Sequence, residues 1–148
     1  MEQDFSPDEA LALTRRTRAR MVERAASPVW YAPGYGLGCG GIIASLALRG
    51  WQATVATFGS IFFLVLLYLV WRRRSGLSVS GYRRGRTLPV TIALLAAYVV
   101  ALAVALIWRD RPGYDWVPLA AGAVLAMIAA AASLAWDHAW RADIADKL

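Results

Sequence analysis

One cysteine, one histidine and one lysine in 148 residues leave little chemistry to build with. Cys39 has no second cysteine to pair with, so an intrachain disulfide is excluded. His138 is flanked by Asp137 and followed five residues on by Asp143, which falls short of a metal-ligand set because Asp137 points about 100° away from it on a helix. Charge is also missing from four long stretches: Val29 to Leu48, Trp51 to Trp71, Pro89 to Trp108 and Trp116 to Trp136 hold no Asp, Glu, Lys or Arg. Proton- or cation-coupled transport ordinarily keeps an ionisable side chain at membrane depth. Intramembrane catalysis needs a nucleophile with its base, or an Asp or His cluster. Neither pattern is present in these stretches, so the sequence implies a non-enzymatic protein without metal or cofactor.

What is present is hydrophobic length. Fifty-nine per cent of residues are hydrophobic, the mean hydropathy is +0.46 and there are seven tryptophans. Each charge-free stretch matches the ~20 residues that a helix needs to cross ~30 Å of hydrocarbon. The runs are apolar all round rather than striped, as lipid-embedded helices are. The expected fold is therefore an all-α membrane protein with four transmembrane helices, 29–48, 51–71, 89–108 and 116–136, arranged as two antiparallel hairpins. A cytoplasmic amphipathic helix over 1–28 precedes them, a basic loop over 72–87 joins the hairpins, and 141–148 form a tail after a bundle spanning 29–140.

Basic residues orient this drawing. Arg15, Arg16, Arg18, Arg20 and Arg24 precede the first stretch; Arg72, Arg73, Arg74, Arg83, Arg84 and Arg86 lie in the middle loop; Arg141 and Lys147 close the chain. Only Arg49, Arg109 and Arg111 fall on the other side. The positive-inside rule then predicts both termini in the cytoplasm. Trp30, Trp71, Trp136 and Trp140 fall at the inner boundary and Trp51, Trp108 and Trp116 at the outer, where indole rings find both apolar and polar surroundings. The net charge of +6 is thus a topology signal, and nucleic acid is not an expected partner. The preference for Arg over Lys and the abundance of Ala and Gly suggest GC-rich coding and a bacterial cytoplasmic membrane.

At the amino end, Ser6-Pro7-Asp8-Glu9 has the form of a capping box with Pro at the first helical position. The helix that follows gathers Leu11, Leu13, Met21 and Val22 on one side and Arg16, Arg20 and Arg24 opposite, a pattern for lying on a membrane surface or docking a partner. Ser27-Pro28 ends it.

The first apolar stretch has Gly34, Gly36, Gly38, Gly40 and Gly41 within eight residues. Gly34 with Gly38, and Gly36 with Gly40 and Ala44, form rows of small residues that let another helix approach closely. Gly122, Ala126, Ala129, Ala130 and Ser133 of the last stretch suit the opposing surface. Gly36 to Gly41 also match G-x-G-x-x-G, but lack the preceding strand and the following acidic residue of a dinucleotide site. In the outer half of the second stretch, Thr57 and Ser60 are placed for interhelical hydrogen bonds. Arg109, Asp110, Arg111 and Asp115 cluster around the Pro112-Gly113 turn, where Arg and Asp are expected to pair.

Two functions fit these features. One is a membrane scaffold or accessory subunit that packs with itself or a partner and offers a basic face, Arg72, Arg73, Arg74, Arg83, Arg84 and Arg86, to anionic lipid headgroups or a cytoplasmic protein. The other is a small oligomeric channel or transporter. They differ at Gly36, Gly38 and Gly40: a channel needs these to line water, a scaffold needs them against another helix.

Overall fold

The computed structural model describes Leu13, residues 28–75 and residues 87–145. The expected amphipathic helix over 1–28, all but Leu13 and Pro28, lies outside the described residues, as do Arg83, Arg84 and Arg86. The described chain is all-α: α1 (Tyr31–Ala44), a 3-10 turn (Ser45–Ala47), α2 (Trp51–Ser75), α3 (Leu88–Trp108) and α4 (Val117–Ala145).

Three helices are long and apolar enough to cross a membrane: Trp51–Arg74, Leu88–Trp108 and Val117–Trp140, with mean hydropathies of 2.2, 2.8 and 2.1. At 1.5 Å per residue they extend for about 36, 32 and 36 Å, enough for the ~30 Å hydrocarbon layer. A multi-pass membrane protein follows from these three. The expectation of four spans is corrected, because α1 has only 14 residues, or about 21 Å of helix. Its last turn tightens into the 3-10 segment and Leu48 is extended, with φ −84° and ψ 160°. The five glycines all lie inside α1, which ends beyond them at Ala44, where the chain tightens toward the turn at Gly50. The chain then reverses at Gly50, whose φ of 60° costs a residue without Cβ nothing. The other three boundaries also move: α2 and α4 run on past Trp71 and Trp136, and α3 starts one residue before Pro89.

α1 compensates for its shortness by its position. It packs along α4 and α2, while α3 lies mainly against α4 and α2 makes little direct contact with α3 or α4. Ile43, Ala105 and Leu125 meet in a buried cluster at 0%, 0% and 1% exposure, with Tyr98 and Leu102 of α3 packed around it. Outward-facing residues are apolar without being covered: Phe58, Phe62, Leu95 and Met127 are all more than half exposed. An aqueous surface would not carry such a continuous apolar skin, whereas lipid tails accept it, and every helix keeps its backbone polar groups internally bonded.

The ends of the bundle are distinct. Trp30 lies under the Arg74 guanidinium, 5.8 Å from ring centroid to Cζ, and Tyr31 packs on Trp71. At the other end Arg49 reaches Asp115 at 3.6 Å and Asp110 at 4.0 Å. The α1 segment therefore carries the chain from one end to the other.

Candidate functional site: a glycine seam and an aromatic cavity

Two small-residue rows on α1 turn toward different helices. Gly36, Gly40 and Ala44 recur every four residues and face α4. A methyl group placed at Gly36 would meet the Ala126 carbonyl and lie 3.0 Å from Ala130 Cβ; one at Gly40 would lie 2.7 Å from Ala126 Cβ. The contact is reciprocal, since a methyl at Gly122 would lie 2.6 Å from the Gly40 carbonyl oxygen and 2.8 Å from Ala44 Cβ. Here backbone meets backbone, the approach that small residues permit. Ala129 is fully buried in the same face of α4.

Gly34, Gly38 and Gly41 face α2 instead. A methyl at Gly34 would lie 2.9 Å from Leu67 Cδ1, one at Gly38 would strike the Leu64 side chain, and one at Gly41 would lie 2.7 Å from Ser60 Oγ. Gly34 and Gly36 are about 200° apart on a helix, so the two rows point to nearly opposite sides. Leu64 and Leu67 are the residues that pattern reading missed. The available signal was the hairpin register: with a short turn at 48–50, residues of α1 and α2 equidistant from it must sit opposite one another.

The same register joins two hydroxyls. Ser45 Oγ and Thr57 Oγ1 are 2.6 Å apart, with the Ile42 carbonyl oxygen 2.7 Å from Ser45 Oγ and the Ala53 carbonyl oxygen 2.8 Å from Thr57 Oγ1. Each hydroxyl has one proton, so the chain of bonds runs one way: Thr57 donates to Ser45 and Ser45 to Ile42, or Ser45 donates to Thr57 and Thr57 to Ala53. Ser60 does not cross to another helix; its hydroxyl donates to the Ala56 carbonyl at 2.9 Å.

At the other end of the bundle from Arg49, a cavity of about 270 Å³ opens among all four helices. Its walls are mainly aromatic: Tyr31 and Tyr35 of α1, Tyr68 and Trp71 of α2, and Trp136 of α4. Thr91 of α3 and Ser133 of α4 contribute hydroxyls. Thr91 Oγ1 returns its proton to the Thr87 carbonyl, 3.2 Å away. Trp71 is 8% exposed and its indole N–H, wholly shielded from solvent, has no hydrogen-bond partner among the described residues. Arg72, Arg73 and Arg74 follow it on the last turns of α2 and are exposed.

The charge cluster at the Arg49 end is arranged differently from the expected local pairing. Arg49, from the first hairpin, makes both ion pairs to Asp110 and Asp115, tying the α1–α2 turn to the α3–α4 turn. Arg111 lies over the Trp108 ring at 4.6 Å. All three charged partners are largely exposed, so these pairs contribute little stability. Cys39 is buried in α1. Among the described residues, no three His, Cys, Asp or Glu side chains come together as a metal set, and His138 is exposed. No protein-family model, no curated protein and no solved structure matches this chain.

Proposed function

We propose that this chain is a non-enzymatic membrane scaffold or accessory subunit that presents its basic end to anionic lipid and to a partner. The observation that carries this reading is the seating of Gly36, Gly38 and Gly40 against Ala126, Leu64 and Gly122. A channel lined by α1 would need those glycines to border water, and none of them lines the 270 Å³ cavity. Their surfaces are spent inside the bundle. The surfaces left over are the apolar skin of α2, α3 and α4, suited to lipid or to another membrane helix, and the arginine-rich end of α2.

Orientation follows from charge. The end that holds Trp30, Arg72, Arg73 and Arg74 belongs in the cytoplasm by the positive-inside rule, and the Arg49–Asp115 end faces out.

The test is crosslinking in the native membrane, with every attached species identified by mass spectrometry. A defined foreign protein that is lost when residues 1–27 are removed is the expected result. Recovery of self-adducts alone, together with ion or solute flux in reconstituted vesicles, would overturn the accessory reading in favour of an oligomeric channel.

A further inference from the structure

The cavity at the basic end has three properties that belong together. It is walled chiefly by aromatic rings, so it favours an apolar occupant. It lies beside the gap where α2 and α3 make little contact, so it can be entered sideways from the bilayer. And one of its wall residues, Trp71, leads directly into the exposed Arg72, Arg73 and Arg74 at the end of α2.

The charge above the cavity selects among amphiphiles. Arg74 is three residues on from Trp71, on the same side of α2, and its guanidinium is held over Trp30 at 5.8 Å. Arg72 and Arg73 add two more exposed cations at this level. A guanidinium binds phosphate oxygens through its fork of N–H donors, and basic clusters at a helix end attract anionic headgroups.

We infer that this cavity is a side-entry site for one anionic glycerophospholipid. One acyl chain enters between α2 and α3 and lies against Tyr35 and Tyr68. Arg74 takes the phosphate charge. The inference rests on the proposed orientation and lipid-facing role of the basic end, and it adds the ligand and its site. It also gives α2 an indirect partner across the gap, since the lipid would fill the space that α3 leaves open.

The experiment is photolabelling of the full chain in phosphatidylcholine vesicles, with a photoactivatable acyl chain carried by phosphatidylglycerol in one arm and by phosphatidylcholine in the other. Labelled residues are mapped by mass spectrometry. The expected result is phosphatidylglycerol label concentrated on Tyr68, Thr91 and Trp136, with much weaker phosphatidylcholine label at the same residues. Ser133→Leu fills the cavity and should move the label outward. Arg74→Gln, at an exposed position, should erase the preference between the two lipids without disturbing the fold, which keeps the test decisive if Ser133→Leu does not fold. Equal labelling by the two lipids, label spread evenly over Phe62, Leu95 and Met127, or protein-to-protein adducts at the cavity residues would each overturn the site. A partner captured in native membranes without cavity labelling removes the lipid site alone; cavity labelling without a partner removes the accessory reading alone.

Discussion

α1 and α3 are both apolar and both free of charge, yet one is central and the other peripheral. α3 is a regular helix of 21 residues with the highest hydropathy of the chain, and only Ala105 of it is fully buried. α1 has 14 residues, and Ala32, Gly36, Gly38, Cys39, Gly40 and Ile43 are buried. The difference teaches that hydropathy does not decide which helix is enclosed in a membrane protein. Lipid tails solvate the Leu and Val side chains of α3 as well as a protein interior would, so nothing draws that helix inward. Glycine leaves room for a neighbouring backbone, and α1 uses that room on two opposite sides at once.

Substitutions can break this contrast, and the largest expected effect is at the seam with α4. Gly40→Leu puts a branched chain where a single methyl already lies 2.7 Å from Ala126 Cβ and meets the Gly122 carbonyl. Neither neighbour is a flexible tip, so a loss of about 3 kcal/mol or more is expected, read as a lowered unfolding midpoint in an SDS titration. An unchanged midpoint would mean that α1 does not pack on α4.

A smaller loss is expected on the α2 side. Gly34→Ala meets Leu67 Cδ1, the end of a side chain that can change rotamer, and the helix gains propensity from alanine. A net cost of about 1 kcal/mol or less should appear in the same titration. If Gly34→Ala proved as damaging as Gly40→Leu, the two faces of α1 would be equivalent and the distinction between backbone and side-chain contact would fail.

The hydroxyl pair sharpens the hairpin register at a lower level. Thr57→Val, Ser45→Ala and the double variant form a cycle whose coupling should be near the ~0.6 kcal/mol typical of polar contacts between membrane helices. Zero coupling would place Ser45 and Thr57 apart and shift the register. At the bottom of the scale, Leu95→Ala on the exposed face of α3 should change stability by less than about 0.5 kcal/mol. A larger loss in native membranes than in detergent would reveal another protein covering that face.

The sequence was most legible where one physical requirement dominates. Charge-free length located α2, α3 and α4 because a bilayer demands continuous apolar helix. The glycine rows were visible as spacing, and Gly122, Ala126 and Ala130 stood out in the last stretch as small residues at helical intervals. What could not be read was how the two rows divide. Gly36 and Gly40 lie against α4, while Gly34 and Gly38 lie against leucines, a residue type that pattern reading assigns to lipid. The length of α1 was misread as well: window hydropathy runs on to Leu48, but it does not register that the α-helix gives way to a 3-10 turn at Ser45 on its way into the hairpin turn. Arg49 pairing with Asp110 and Asp115 was hidden as well, because those partners are about sixty residues away along the chain and meet only when the hairpins dock.

By itself the sequence determined a helical membrane protein with a basic end rich in tryptophan and a glycine-rich segment suited to close packing, but it read four spans where the structure has three helices long enough to cross. These depend on local composition, which sets solvent preference residue by residue. Only the tertiary structure decided that the shortest described helix is the central one, that α2 stands off from α3, and that five aromatic residues from three helices line one cavity. Those features arise from contacts between residues distant in the chain, where the fit of two backbones, and not the preference of either for lipid, selects the arrangement.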